Sequence, residues 1–399
     1  MKILVIGSGG REHAIAWRLT QSGHTLYGSP GNPGIAQLGE VFSASDCVSL
    51  AESLHVDFTV VGPEAPLVSG LVDKFRDRRL SIFGPLREAA QLEASKVYAK
   101  EFMRRAAIPT ARYTCAATAQ AAHDALNAFH YPVVVKADGL AAGKGVIIAQ
   151  DHAEATAAIA QLGPRLVLEE YLEGEEVSFI VLSDGRHILP LEATQDHKRL
   201  GDGDTGPNTG GMGAYCDGRI LTSNETEKIL DTIIEPVVSR TAFTGFLYAG
   251  LMMTTDGPKV LEYNVRLGDP EAQPLLHRLD TDFGAVLSAA IHGELQRVDL
   301  KWRSDPSVCV VLAAAGYPGT PRQGDPIRGI DTCGAIVFQA GTKSAPPDLL
   351  TAGGRVLGVT ASGPDLHTAI QNTYAAVQKI HFDGMQYRHD IGAKGLKRW

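Results

Sequence analysis

Cysteine is scarce and scattered: Cys47, Cys115, Cys216, Cys309 and Cys333 are the five in a chain of 399 residues. No two form a Cys-x-x-Cys pair, so neither a disulfide framework nor a zinc site is expected, and unpaired thiols fit a reducing compartment. No apolar run is long enough to span a bilayer. Positive charge is also in short supply, with 37 Lys and Arg against 45 Asp and Glu and a formal net charge of −8. Lacking a basic stripe with interleaved aromatics, the chain is not expected to bind nucleic acid. Internal repeats and low-complexity tracts are missing too. The opening residues Lys2-Ile3-Leu4-Val5-Ile6 read as a buried strand rather than a secretory signal, which makes the cytoplasm the expected location. The remainder is ordinary globular composition, 44% hydrophobic and 21% charged, long enough for roughly two to four domains.

Glycine, by contrast, is plentiful, and its clusters fall beside charged residues. The most informative stretch is Val260-Leu-Glu-Tyr-Asn-Val-Arg-Leu-Gly-Asp-Pro-Glu-Ala-Gln273. Lys259 to Tyr263 alternates as a strand does. Glu262 and Asn264 stand two apart, so both side chains share one face. A carboxylate beside an amide oxygen suits Mg²⁺, which takes hard oxygen ligands and shares them with phosphates. Arg266, two further on, is a fork for phosphate or carboxylate. Gly268-Asp269-Pro270-Glu271 then forms a polar turn. Glu-x-Asn alone fits a strand ending in a solvated acidic turn; its upstream companions reverse that reading.

The first companion is Pro132 to Ala137, a β-branched run carrying Lys136, followed by Asp138-Gly-Leu-Ala-Ala-Gly143-Lys144-Gly145 and a second strand, Val146 to Ala149. Such a loop lets backbone amides approach phosphate while lysines neutralise it. It is not a P-loop, because a strand follows where that motif opens a helix. The second is Leu166 to Ser178, an apolar strand, an acidic hinge and another strand. Its exposed backbone groups suit an adenine edge, and Glu176 suits ribose hydroxyls. The third is Gln195-Asp196-His197-Lys198-Arg199, leading into the glycine-rich run to Tyr215, which reads as an active-site lid.

Lysine-bearing glycine loop, acidic hinge and Glu-x-Asn strand, in that order, resemble the ATP-grasp ligases. The strings 62–67, 136–146, 195–199, 204–215 and 268–271 narrow the resemblance to the phosphoribosylamine–glycine ligase (glycinamide ribonucleotide synthetase) family, across essentially the whole chain. The fold class this implies is a multidomain α/β and α+β chain: an N-terminal open parallel α/β sheet, a central two-lobed ATP-grasp fold and a small C-terminal α+β domain. The expected boundaries are 1–95, 96–302 (small lobe about 110–185, larger lobe about 186–302) and 303–399.

The resemblance further implies ATP with Mg²⁺ or Mn²⁺, the substrates glycine and 5-phosphoribosylamine, a monomer, and no nucleic-acid or membrane partner. ATP would meet Lys96, Lys136, Gly143, Lys144, Glu169, Glu170, Leu172, Glu176, Lys198, Arg199 and Asn208, and the metal would meet Glu262 and Asn264. Phosphoribosylamine would meet Gly9, Gly10, Asn32, Pro63 and Glu64. Arg266 would hold either the glycine carboxylate or the γ-phosphoryl group. Asp196 or Asp269 would bind the glycine amine or accept a proton. Lys100 fits plain surface charge.

A nicotinamide site is disfavoured at the N-terminal loop. Glu12 stands where the dinucleotide fingerprint needs glycine, and the next strand, about Thr25 to Tyr27, ends without an acid for a ribose. A single phosphate suits this loop better. The remaining rivals are another ATP-grasp ligase and a nucleotide-sensing module that has lost turnover. Three departures from the family pattern stand out. Val265 and Leu267 replace its usual Cys and Phe, and the connections from Ala149 to Leu166 and after Tyr215 look short.

Overall fold

The computed structural model describes residues 1–140 and 145–398; Gly143 and Lys144 therefore lie outside the described residues. The chain opens with five parallel strands, in the spatial order Glu40–Val41, Thr25–Pro30, Lys2–Gly7, Phe58–Val61 and Ile82–Phe83. The central strand is apolar on both faces, as parallel strands between covering layers must be. Its alternation sends Leu4 and Ile6 into one apolar cluster and Ile3 and Val5 into another. Neither cluster stays within the N-terminal unit: the first also contains Phe179, Leu247 and Tyr263, the second Phe246 and Phe283.

A four-stranded antiparallel sheet forms the small lobe, in the order Tyr113–Ala116, Leu166–Glu170, Val133–Ala137 and Val146–Ala149. Helices Ala119–Leu126 and His152–Leu162 cover it, each begun by a side-chain cap, Thr118 and Asp151. Its core is its own, built from Val133, Val135, Leu166, Leu168 and Ile159.

The largest sheet runs Gly257–Asn264, Thr244–Thr254, Glu175–Asp184, Thr194–Asp196, Gly213–Cys216, Ser307–Ala313, Arg355–Ser362 and Ile336–Gln339, with Ile188–Pro190 paired to the third of these. Gly213–Cys216 pairs antiparallel with Ser307–Ala313, so strands beyond residue 302 continue the sheet that carries Glu262.

Three local expectations are modified. Gln91 to Ala107 reads from the sequence as one helix carrying Ser95, Lys96 and Lys100; it is two, Gln91–Ala94 and Lys96–Ala106, parted at Ser95, which is extended (φ −136°, ψ 117°) and accepts a hydrogen bond from Tyr98 N. A residue placed mid-helix by periodicity is an N-cap, putting Lys96 at the first position of the second helix. Pro236 is expected to kink or end the helix over 225–238; the helix is distorted rather than ended, Ser223–Ile229 passing through a π-helical segment, Leu230–Ile234, into Glu235–Thr241. The widened turn absorbs the hydrogen bond that proline cannot donate. The glycine-rich run after Lys198 is no open loop but a hairpin of Arg199–Gly201 and Thr205–Asn208.

The seam between the N-terminal sheet and the large sheet is aromatic. Phe83 meets Phe246 edge-on at 4.8 Å between ring centroids, and Phe246 stacks near Phe283 at 6.2 Å. Phe246→Ala should cost about 3–5 kcal/mol, read as a lowered urea midpoint; an unchanged midpoint would show that the two sheets do not share a core.

Candidate active site

Strand Gly257–Asn264 faces the small lobe, and lysines bridge the gap. Lys136 Nζ donates to Leu261 O (3.0 Å) and pairs with Glu169 Oε1 (2.8 Å). Lys100 Nζ pairs with Glu169 Oε2 (2.9 Å) and donates to Thr110 Oγ1 (2.7 Å). Thr110 in turn donates to Val260 O (2.6 Å). Lys100 is thus no surface charge; it is 2% exposed, and burial pulls it down to about 8 against the opposing field of Glu169. Its spacing of four from Lys96 put both on one helix face, a signal available in the sequence. Lys96 Nζ donates to Gly139 O (2.9 Å), and burial lowers its pKa while Glu262 opposes. Lys198 pairs with Glu176 (3.0 Å). Burial works against ionisation of Glu262, but Lys198, Lys136, Lys96 and Arg266 together hold its carboxyl below the usual range. Cations from four segments therefore act on one carboxylate.

Asn264 Oδ1 accepts from Arg266 (3.0 Å), and Arg266 also pairs with Glu93 (2.7 Å) and Glu64 (3.4 Å). Glu93, which carries no motif, accepts a hydrogen bond from Val265 N (2.8 Å) as well. Glu64 heads helix Glu64–Val68, directly after Pro63. The N-terminal loop is more heavily engaged than a free anion site would be. Gly9 N–H donates to Glu12 Oε2 (2.6 Å), and Glu12 is buried beside Arg11 (2.5 Å). Asn32 caps a short helix through Ile35 N and donates to Ser8 O (2.8 Å) and Gln339 O (2.7 Å), so its amide is occupied by protein partners. A methyl group on Gly9 or Gly10 would stand 3.7 or 3.8 Å from the Asp269 carboxylate oxygens, so this loop abuts the polar turn.

Two aspartates of similar promise in sequence differ in setting. Asp269 pairs with Arg355 (3.0 Å), an unforeseen residue of strand Arg355–Ser362, and accepts from Gln273 (2.8 Å). Although buried, its carboxyl is held low by Arg355 and Arg11. Asp196 lies within the field of Glu262, and burial raises it to about 7, with Lys198 opposing and Glu271, Glu176 and Glu262 reinforcing. Among the hinge residues, Glu170 turns to Arg112 N (2.9 Å), while Leu172 packs with Ala111 and Met252. Arg199 donates to Gly206 O (2.7 Å) within its own hairpin, and Asn208 reaches Val146 O (3.4 Å) of the small lobe.

A parallel α/β unit, a small antiparallel lobe and a large sheet, with lysines closing on a Glu-x-Asn strand between them, define an ATP-grasp enzyme. Family models described as phosphoribosylglycinamide synthetase match the chain in succession: the N domain over residues 1–93, the ATP-grasp (A) domain over 94–272 and the C domain over 307–394. The chain belongs to the phosphoribosylglycinamide synthetase family. Phosphoribosylamine–glycine ligase of Neisseria meningitidis is 48% identical over 423 aligned positions, covering 100% of each chain. Since 423 exceeds this chain's 399 residues by 24, about 24 positions of that relative face gaps here. The crystal structure of the Thermotoga maritima phosphoribosylamine–glycine ligase superposes with a TM-score of 0.86 at 34% identity, covering 98% of this chain and 100% of that one. The biotin carboxylase domain of Hydrogenobacter thermophilus 2-oxoglutarate carboxylase, at 16% identity and a TM-score of 0.75 over 97% and 91% of the two chains, shares the fold.

Asp196 gives the site a pH signature. Its folded pKa lies above the ordinary 3.8, so between about 4 and 7 the folded protein holds a proton that the unfolded chain has released. Stability from this group is present at low pH and lost as pH rises through 7. Asp196→Asn, a mimic of the neutral form, should raise the melting temperature relative to the native protein at pH 8 and leave it unchanged near pH 4; a constant difference across that range would remove Asp196 as the source.

Proposed function

We propose that this chain joins glycine to 5-phosphoribosylamine, with ATP cleaved to ADP and phosphate, giving glycinamide ribonucleotide by way of glycyl phosphate in purine synthesis. The observation that carries the reading is the convergence of Lys96, Lys136, Lys198 and Arg266 on ionised Glu262, beside a turn that meets the N-terminal loop. A carboxylate is a poor acyl donor, so its oxygen is phosphorylated first and the ribosylamine nitrogen then displaces phosphate from the carbonyl. Phosphoryl transfer asks the protein for positioning and charge neutralisation, which these lysines supply. Hinge residues Glu169 to Glu176 would seat the base and ribose.

Glu262 and Asn264 are hard oxygen donors and fit Mg²⁺ or Mn²⁺. Among the described residues no group of three or more His, Cys, Asp or Glu is placed to hold a metal ion; Mg²⁺ ordinarily takes one or two protein oxygens and shares its remaining positions with phosphate. Bound there, the ion would neutralise phosphate charge and polarise the phosphoryl oxygens. Asp196, poised near 7, is suited to accept the proton lost from the attacking amine. Asp269, kept ionised beside Arg355, is suited to orient an ammonium group. Arg266 holds the glycine carboxylate or the γ-phosphoryl group, and the Pro63-Glu64 turn lies on the ribosylamine side. We read the protein as a cytoplasmic monomer acting on small molecules, as the family resemblance implies.

The test is ADP release with ATP, Mg²⁺ and glycine, with and without phosphoribosylamine generated in situ. ADP should form in step with glycinamide ribonucleotide only when every substrate is present, whereas ATP that binds but never turns over would sink the ligase reading. Glu262→Gln should lower kcat by roughly 100-fold or more and, by removing the charge that Lys198, Lys136, Lys96 and Arg266 stabilise, lower the melting temperature at neutral pH as well; near-native turnover would dismiss Glu262 from the site.

A further inference from the structure

The hairpin of Arg199–Gly201 and Thr205–Asn208 is a two-stranded sheet of its own, outside the large sheet. An isolated two-stranded hairpin is marginal in water and needs external support. Its root stands in the candidate site, with Lys198 against Glu176 and Asn208 against Val146 O. Its tip, Asp202-Gly203-Asp204, meets the segment from Arg388 to Lys394, nearly two hundred residues away in sequence.

That meeting is dense. Arg388, whose side chain is 0% exposed, donates to Arg199 O (3.1 Å) and Asp204 Oδ1 (2.8 Å) and forks onto Asp390 at 2.7 Å through both Nε and Nη2. Lys394 pairs with Asp204 Oδ2 (2.8 Å), Gly203 N donates to Asp390 Oδ2 (2.9 Å), and the His389 amide donates to Asp202 Oδ1 (2.7 Å). The segment is itself fixed to helix Leu366–Val377, because Tyr374 Oη donates to Arg388 O (2.7 Å) and accepts from Ile391 N (3.1 Å). A buried guanidinium is costly unless every charge about it is matched, and here two carboxylates and a carbonyl do so. Such a site has one good arrangement, which fixes the hairpin as well.

Resting on the ATP-dependent ligase reading, we propose that Arg388 and its partner Asp204 are positioning residues for nucleotide. They hold the hairpin so that Lys198 stands over the phosphate site and Asn208 stands against the small lobe. Neither touches substrate; they act through Lys198.

Asp204→Asn, at the half-exposed tip, and Arg388→Lys test this with two readouts. The KM for ATP should rise about fivefold or more while the KM for glycine stays native, with melting temperatures close to native. Trypsin should cut faster after Lys198 and Arg199 in both variants, a readout independent of turnover. If Arg388→Lys fails to fold, Asp204→Asn alone decides. Native ATP KM and a native cutting rate in Asp204→Asn would overturn the proposal, as would equal losses for all substrates that merely track a lowered melting temperature. Lack of ADP formation by the native enzyme would instead count against the ligase reading, and the trypsin comparison would still judge the clamp.

Discussion

Glu169 is the interaction on which the site depends. Its buried carboxylate pairs with Lys100 through one oxygen and Lys136 through the other. A carboxylate so placed without cations would be strongly destabilising, and two buried lysines without it would be unpaired charges, equally costly. The three charges stay together because each makes the others tolerable. They join helix Lys96–Ala106, strand Val133–Ala137 and the start of the hinge. Lys136 then reaches Leu261 O and Lys100 reaches Val260 O through Thr110, so the small lobe is registered on the strand of Glu262. Misplacing that strand by one residue would turn Glu262 to the opposite face.

The same economy recurs where the N-terminal sheet meets the rest. Arg266 is held by Glu64, Glu93 and Asn264, one partner from the N-terminal unit, one from the helix leading to Lys96 and one from its own strand. Arg355 ties the polar turn and Gly210 O to the C-terminal strands. Each ion pair sits where two segments distant in sequence touch. The apolar clusters likewise cross these junctions, so the N-terminal unit and the strand of Glu262 are kept at fixed separation by packing as well as by charge. Such rigidity suits an acyl phosphate, which must meet its nucleophile before water does.

Much of this was legible in the residues. The alternation of Lys259 to Tyr263, the Glu-x-Asn spacing and the lysine at the end of a β-branched run are local patterns, and local geometry translates them directly, whereas the glycine string after Lys198 forms a hairpin. Asn32 and Gly9 show the converse. Both sit in loop motifs that suggest ligands, yet Asn32 is engaged with Ser8, Ile35 and Gln339, and the Gly9 amide with Glu12. Whether a polar group in a loop is free depends on what folds against it, and Gln339 arrives from more than three hundred residues away.

The class of fold, the order of its parts and the donor chemistry of its motifs follow from the amino-acid order alone, because strand periodicity, glycine tolerance and side-chain donor sets are properties of short segments. Which charges are buried together follows from how the sheets pack. Lys100, Glu93, Arg355 and Arg388 carry no motif, and each gains its role from a partner brought near by sheet order: Glu169, Arg266, Asp269 and Asp204 respectively. The separation of Asp196 from Asp269 is of the same kind. Both are aspartates in polar sequence, one ending strand Thr194–Asp196 and the other in the turn after Gly268, but one is set among carboxylates and the other beside arginines, and a charge's behaviour is set by its neighbours in space.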